Sequence, residues 1–277
     1  MGLRINTNVA SLSAQRNLGL TTKRLNSSLR KLSSGERITR AGDDAAGLAI
    51  SENLKADIRG IRQAKRNAGD AISLIQTAEG GLSEVSNIII RLRELSVQAA
   101  SDTIGETERS FSDIEFQQLK SEIDRISRST DFNGKKLLDG TSGLLDFQIG
   151  IHNDPILDRL NYDGSAADST ITALGLAADS INTKEGAQLS LQKLDDSLVQ
   201  VNGIRANLGA IQNRLSSTIN NLGISDENLS AANSRVRDVD VANETANLTK
   251  NNILVQAGAS VLGQANQVPN IALKLIG

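Results

Sequence analysis

The chain has 277 residues, a net charge of −2 and 39% hydrophobic content. It holds no cysteine and a single histidine, His152, which excludes disulfides, thiolate nucleophiles and metal centres built on Cys or His pairs. No apolar run reaches the roughly 18 residues that span a bilayer, and a charge so near zero argues against general attraction to nucleic acid.

Composition is uneven along the chain. The five aromatics, Phe111, Phe116, Phe132, Phe147 and Tyr162, fall in one central window, and both ends carry Leu, Ile, Val and Ala at helical spacing instead. Residues 1–70 hold 13 Lys/Arg against 6 Asp/Glu, a local +7. Without aromatic platforms or arginine clusters, that excess reads as a solvated helix face, or one meeting an acidic partner helix. Residues 1–8 lack the apolar segment of a cleavable secretion signal, so the expectation is cytosolic residence or export by another route.

The first helix is predicted over residues 6–33, with one stripe at Ile5, Val9 and Leu12 and a second at Leu18, Leu25, Leu29 and Leu32. Ser33-Ser34-Gly35 reads as its stop. Residues 36–47 form a polar connector in which Asp43, beside Asp44, is placed to cap the next helix. That helix is long. Ile75, Ala78, Leu82, Val85, Ile89, Leu92, Ser96 and Ala99 alternate steps of three and four, the spacing of a coiled-coil seam. Gly80-Gly81 weakens it by about 1 kcal/mol per glycine. A helix over 108–129 carries Phe111, Ile114, Leu119, Ile123 and Ile126. Asn133-Gly134 is a turn signal, and residues 145–151 and 156–162 alternate as a hairpin joined through His152-Asn153-Asp154-Pro155. Residues 163–183, small and polar, read as an exposed segment. A heptad from Leu194 to Leu222 follows and is expected to break at Gly223. A last helix is predicted over 226–267, ending at Val268-Pro269 before an apolar tail.

The expected fold is therefore mainly α: a long antiparallel helical bundle or coiled coil with a small β-hairpin region. The expected division is 1–42 and 226–277 as the two halves of a terminal helical domain, with 43–180 and 181–225 as the inner rod. Terminal helices dressed with aliphatic side chains are marginal alone in water. They are expected to fray in the free subunit and to fold against copies of themselves, and head-to-tail contacts that do not close generate filaments.

Several ordered segments then resemble bacterial flagellin: Leu32-Ser33-Ser34-Gly35, Arg37-Ile38, and Asp43-Asp44-Ala45-Ala46-Gly47-Leu48-Ala49-Ile50 in the connector. Gln76-Thr77-Ala78-Glu79, Arg91-Leu92-Arg93-Glu94-Leu95, Phe132-Asn133-Gly134 and Asn213-Arg214-Leu215 follow in family order. Leu229-Ser230-Ala231-Ala232-Asn233 and Gln264-Ala265-Asn266-Gln267-Val268-Pro269 complete it. The resemblance covers roughly residues 1–150 and 180–277, with only about 30 residues where the family often carries outer domains, too few for an extra domain.

It implies an extracellular flagellar filament subunit, paired terminal helices in the filament, and filament-core packing by Ile5, Val9, Leu12, Leu25, Leu29, Leu32, Ile253, Val261 and Leu262. It implies partners: copies of itself or other flagellins, the flagellar export apparatus and an export chaperone, and hook-associated junction and cap proteins. It also implies a candidate patch for a Toll-like innate receptor at Arg91, Leu95 and Glu115. Ser165, Ser169, Thr170 and Thr172 are candidate acceptors of O-linked sugars on the expected exterior. No cofactor, metal, nucleic acid or membrane insertion is expected. Catalysis is disfavoured, because a lone turn histidine leaves few ways to activate a nucleophile. The alternatives are a hook–filament junction protein, which shares helical ends with the family, and a coiled-coil adaptor without filament activity.

Overall fold

The computed structural model describes residues 7–276, with side chains described through residue 267. Five long helices, α1 (Val9–Ser34), α2 (Ala45–Ala99), α3 (Glu106–Ser129), α4 (Lys184–Arg237) and α5 (Val241–Ile276), carry the chain. Between α3 and α4 lie β1 (Asp131–Phe132) with β2 (Lys135–Lys136), then β3 (Leu144–Gln148) with β4 (Arg159–Asp163), each pair an antiparallel hairpin. The chain forms two compact units, residues 1–57 with 228–277 and residues 58–227. The first junction thus falls at 57/58, inside α2, and not at the polar connector that suggested 42/43.

The inner unit is organised by the α2 seam. Ala68, Ala71, Ile75, Ala78, Leu82, Val85, Ile89, Leu92, Ser96 and Ala99 are all buried, continuing the predicted steps of three and four. α4 answers with Leu194, Val201, Leu208, Ile211 and Leu215, and α3 with Phe116 and Ile123. Gly81 has a positive role in this packing. A Cβ there would stand 2.8 Å from both Leu138 Cδ1 and Thr130 Oγ1, so only glycine admits the β1–β2 region so close to the helix.

Three expectations are corrected. Phe111 and Ile114 face solvent on α3, because the buried face of that helix runs through Arg109, Asp113, Phe116, Lys120 and Ile123. Gly223 does not end a helix: α4 continues to Arg237, and the break comes at 238–240, where Asp240 accepts hydrogen bonds from the backbone N–H of Ala242 and Asn243. α5 likewise runs past Pro269 to Ile276.

The third correction concerns residues 163–183, which are strapped into the core. Leu174, Leu176 and Ile181 are buried at irregular spacing that matches no periodic template. Lys120 Nζ donates to the carbonyls of Ala177 (3.0 Å) and Asp179 (2.7 Å). Asp113 Oδ1 accepts from the Ile181 N–H (2.8 Å), and Ser197 Oγ donates to the Leu174 carbonyl (2.9 Å). Buried polar groups thus close on the strap's own backbone, which is what makes burying a loop tolerable. Ser169 and Thr170 are buried with it, whereas Ser165 and Thr172 are exposed.

Tyr162 locks β4 to this core, its hydroxyl donating to the Leu137 carbonyl at 3.1 Å. Burial, aided by the neighbouring Asp163 carboxylate, pushes the phenol up to about 12 from 10.0. The folded state therefore favours the neutral phenol. That contribution is complete below the unfolded value of 10.0 and is lost as pH rises through about 12. Tyr162 is the only tyrosine and there is no tryptophan, so its ultraviolet titration reads one group. The expected result is a phenolate signal delayed until the chain unfolds, against an ordinary midpoint in denaturant; an ordinary midpoint in the folded protein would contradict this packing.

Candidate functional site

The outer unit is an antiparallel pair of helices. α1 begins at Asn8, whose side chain accepts from the Ser11 N–H, and ends at Gly35 in the left-handed conformation, φ 71°. Asn8 Nδ2 donates to the Ala265 carbonyl (2.7 Å) and Ser11 Oγ to Asn266 Oδ1 (2.7 Å) at one end. Midway, Leu18 lies against Gly258, and at the other end the Val239 N–H reaches the Gly35 carbonyl (3.0 Å). These three points fix the register of α1 on α5.

The seam of this pair is lean. Its fully buried positions are small or polar: Ser11, Ser28, Asn251 and Ala265. Leu18, Leu25 and Leu32 on α1, and Leu248, Val255 and Leu262 on α5, recur every seven residues and are half-buried. Outside the seam, Val9, Leu12, Leu20 and Leu29 on α1 and Val241, Ile253, Leu254 and Val261 on α5 are exposed. Of the predicted core residues, then, Leu25, Leu32 and Leu262 belong to the seam between the two helices. Val9, Leu12, Leu29, Ile253 and Val261 present uncovered apolar surface, and Ile5 lies outside the described residues.

Where the pair is closed, the two connectors cross-link. Glu36 bridges Asp238 as a single antiparallel β pair, and the Arg37 N–H donates to the Arg237 carbonyl (2.6 Å). Arg237 then grips Glu36 with two parallel bonds, Nε to Oε1 (2.8 Å) and Nη2 to Oε2 (3.2 Å), and its Nη1 pairs with Glu52. Those bonds to Glu52 and Glu36 hold the guanidinium above its ordinary range. Ser51 Oγ adds a bond to Asn233 (2.8 Å). One arginine thus ties the end of α4 to the connector after α1 and to the first turns of α2, the planar fork supplying what a lysine could not. Nothing in the periodicity pointed to Arg237; its bidentate role exists only once the two connectors are side by side.

The predicted connector residues divide their tasks. Asp44 caps α2, its Oδ1 accepting from the Gly47 N–H (2.9 Å), whereas Asp43 does not cap it. Asp43 Oδ2 accepts from the Thr39 hydroxyl (2.8 Å) and backbone N–H (3.2 Å), and the hydroxyl bond holds its carboxyl below the usual range. Ile38, within this polar stretch, is buried.

On the inner unit, Arg91 and Glu115 meet. Arg91 Nη2 lies 2.9 Å from Glu115 Oε1, and its Nη1 the same distance from Glu94 Oε2; those two carboxylates hold the guanidinium above its ordinary range. Leu95 does not join them on the surface. It is 3% exposed and belongs to the α2 seam. A cleft of about 480 Å³ is lined by Ile61, Ile151, Leu157, Asp158, Thr218 and Leu222 among others. Among the described residues no cluster of His, Cys, Asp and Glu is arranged to hold a metal ion, and no helix is long and apolar enough to cross a membrane.

Comparison with known proteins accounts for these features together. The bacterial flagellin N-terminal helical region matches residues 5–143, and the bacterial flagellin C-terminal helical region matches residues 191–276. Flagellin of Halalkalibacterium halodurans is 46% identical over 98% of this chain and 99% of its own length. Flagellin of Bacillus subtilis is 45% identical over 99% of this chain and all of its own length. A crystal structure of Bacillus cereus flagellin superposes with a TM-score of 0.51 at 33% identity, covering 57% of this chain and 88% of that one. A flagellar hook-associated protein from Vibrio parahaemolyticus shares the fold at a TM-score of 0.58 and only 16% identity, covering 71% of this chain and all of that one, a likeness of fold alone. The chain belongs to the bacterial flagellin family and is a structural subunit of the flagellar filament.

Proposed function

We propose that the outer faces of α1 and α5 are the surfaces through which copies of this chain stack into the filament core. The observation that carries this reading is the row of exposed aliphatic side chains on a unit only two helices thick. Each gains roughly 1.5–3 kcal/mol on full burial, and a two-helix pair whose buried seam positions are Ser, Asn and Ala, with its heptad leucines only half-buried, has little other reserve. Copies laid over these faces supply the missing layer. Because α1 and α5 offer different side chains, the contact is heterologous, and heterologous contacts that do not close build open helices. On this reading the terminal pair gains most of its stability only on assembly. The chain leaves the cell through the flagellar export apparatus with the help of a chaperone, and junction and cap proteins bound the polymer at its ends.

Leu29→Asp and Ile253→Asp test this directly. Both side chains are exposed in the single subunit, so the charge is tolerated there and its desolvation is felt only in the polymer, at several kcal/mol per interface. The expected outcome is a folded chain with unchanged helical circular dichroism that fails to extend filament seeds. Seeds growing at the parent rate and melting at the parent temperature would overturn the reading.

The Arg91–Glu115 pair supports a second role as a recognition patch for a Toll-like innate receptor. The fork of Arg91 and the carboxylate of Glu115 sit in solvent on neighbouring helices, able to exchange their mutual bond for bonds to a partner. Leu95, buried beneath, acts by holding that turn of α2 in place. In a receptor-reporter assay, the Arg91→Ala/Glu115→Ala subunit is expected to lose signal relative to the parent while keeping its thermal stability, since exposed pairs contribute little to folding. Equal signals would remove this role. For surface sugars, Ser165 and Thr172 are the exposed two of the four candidate acceptors; intact masses of native subunits decide that point.

A further inference from the structure

We propose that Asn133, at the tip of the β1–β2 hairpin, is a site of spontaneous backbone chemistry in the folded subunit. Its side-chain amide is lost by attack of the Gly134 nitrogen, which converts the position to aspartate and isoaspartate. The chain contains two Asn-Gly dipeptides, Asn133-Gly134 and Asn202-Gly203, and the fold treats them in opposite ways.

At Asn133-Gly134 four conditions converge. Both residues are exposed. Both hold positive φ, 51° and 78°, as a two-residue hairpin loop between Phe132 and Lys135 requires. Asn133 is the one non-glycine residue with positive φ among the described residues. The strands flanking the loop are two residues each, closed by the pairs Asp131–Lys136 and Phe132–Lys135. So short a ladder opens locally at little cost, which frees the Asn133 ψ angle to bring its Cγ to the Gly134 nitrogen. The Lys135 and Lys136 ammonium groups, next in the chain, favour the deprotonated amide that performs the attack. Asn202-Gly203 lies deep within α4, where helical geometry fixes ψ and engages the Gly203 N–H four residues back.

The chemistry is balanced by solvent alone. The Gly134 nitrogen, having given its proton to hydroxide, forms a bond to Asn133 Cγ. The Cγ–Nδ2 bond breaks, and the nitrogen leaves as ammonia with protons from water. The resulting five-membered imide takes up one water. Opening at the side-chain carbonyl gives aspartate, and opening at the backbone carbonyl gives isoaspartate, with the chain running through the former side chain. Either product adds one negative charge beside Asp131. The isoaspartate also inserts a methylene between strands whose register leaves no room for it, loosening the β1–β2 hairpin that the half-buried Phe132 anchors.

The test is incubation of the folded full-length chain at mildly alkaline pH, followed by tryptic mapping. Asn133 and Asn202 fall on separate fragments, 129–135 and 194–205, and mass spectrometry with chromatography resolves the amide, aspartate and isoaspartate forms of each. The expected result is conversion at 133 at least about tenfold faster than at 202 in the folded chain, and near-equal rates at both in denaturant. Asn133→Gly, which keeps the positive-φ turn, should abolish the product at 133 and leave 202 unchanged. Equal rates in the folded chain, or no conversion at 133 on a timescale that converts the denatured chain, would overturn the proposal.

Discussion

The structure hangs on the seam of α2. From Ala68 to Ala99 it presents an unbroken row of small and aliphatic side chains, and none of them is left in water. Steps of three and four keep that row on one side of a helix, so α3 and α4 must run along it to cover it. The chain that leaves the outer unit through α2 has to come back through α4. Residues 35–39 and 236–240 are thereby committed to meeting, and the cross-links around Arg237 follow from that meeting.

The two units solve opposite problems. The inner one completes its core, using even a loop, the strap at 163–183, to finish the job. Lys120, Asp113 and Ser197 are buried there, each making a hydrogen bond to strap backbone. The outer one leaves its core incomplete. The buried positions of its seam are serine, alanine and asparagine, its heptad leucines are only half-buried, and a second set of aliphatics, such as Val9, Leu29 and Ile253, is exposed. A protein selected to be stable alone would reverse that arrangement. On the proposed reading a filament subunit gains from it, because each exposed side chain would then be a contact for another copy.

Function in this family rests on surfaces, and the site reads accordingly. Its chemistry is the shape of a helix pair and one arginine fork, with the polar residues of the connector dividing capping from loop bracing. Sequence reasoning placed Asp43 and Asp44 together in that role, and the difference between them depends on one residue of register. Leu95 shows the same sensitivity: adjacent in the motif to surface residues, it points inward because the seam passes through it.

Much was determined by the sequence alone. Heptad spacing specified α2 and α4 down to individual buried positions, the Ser-Ser-Gly stop ended α1, and alternation located β3 and β4, since helix and strand periods are local properties of the chain. The ordered motifs gave the family. Only the tertiary structure decided the burial of 163–183, the outward turn of Phe111 and Ile114, the passage of α4 through Gly223 and the role of Arg237. Each depends on what lies across a gap and not on what precedes it in the chain: a loop has no period to betray its buried side, a glycine stops a helix only when packing does not hold it, and an ion pair between residues 36 and 237 exists only after both ends have been brought to one place.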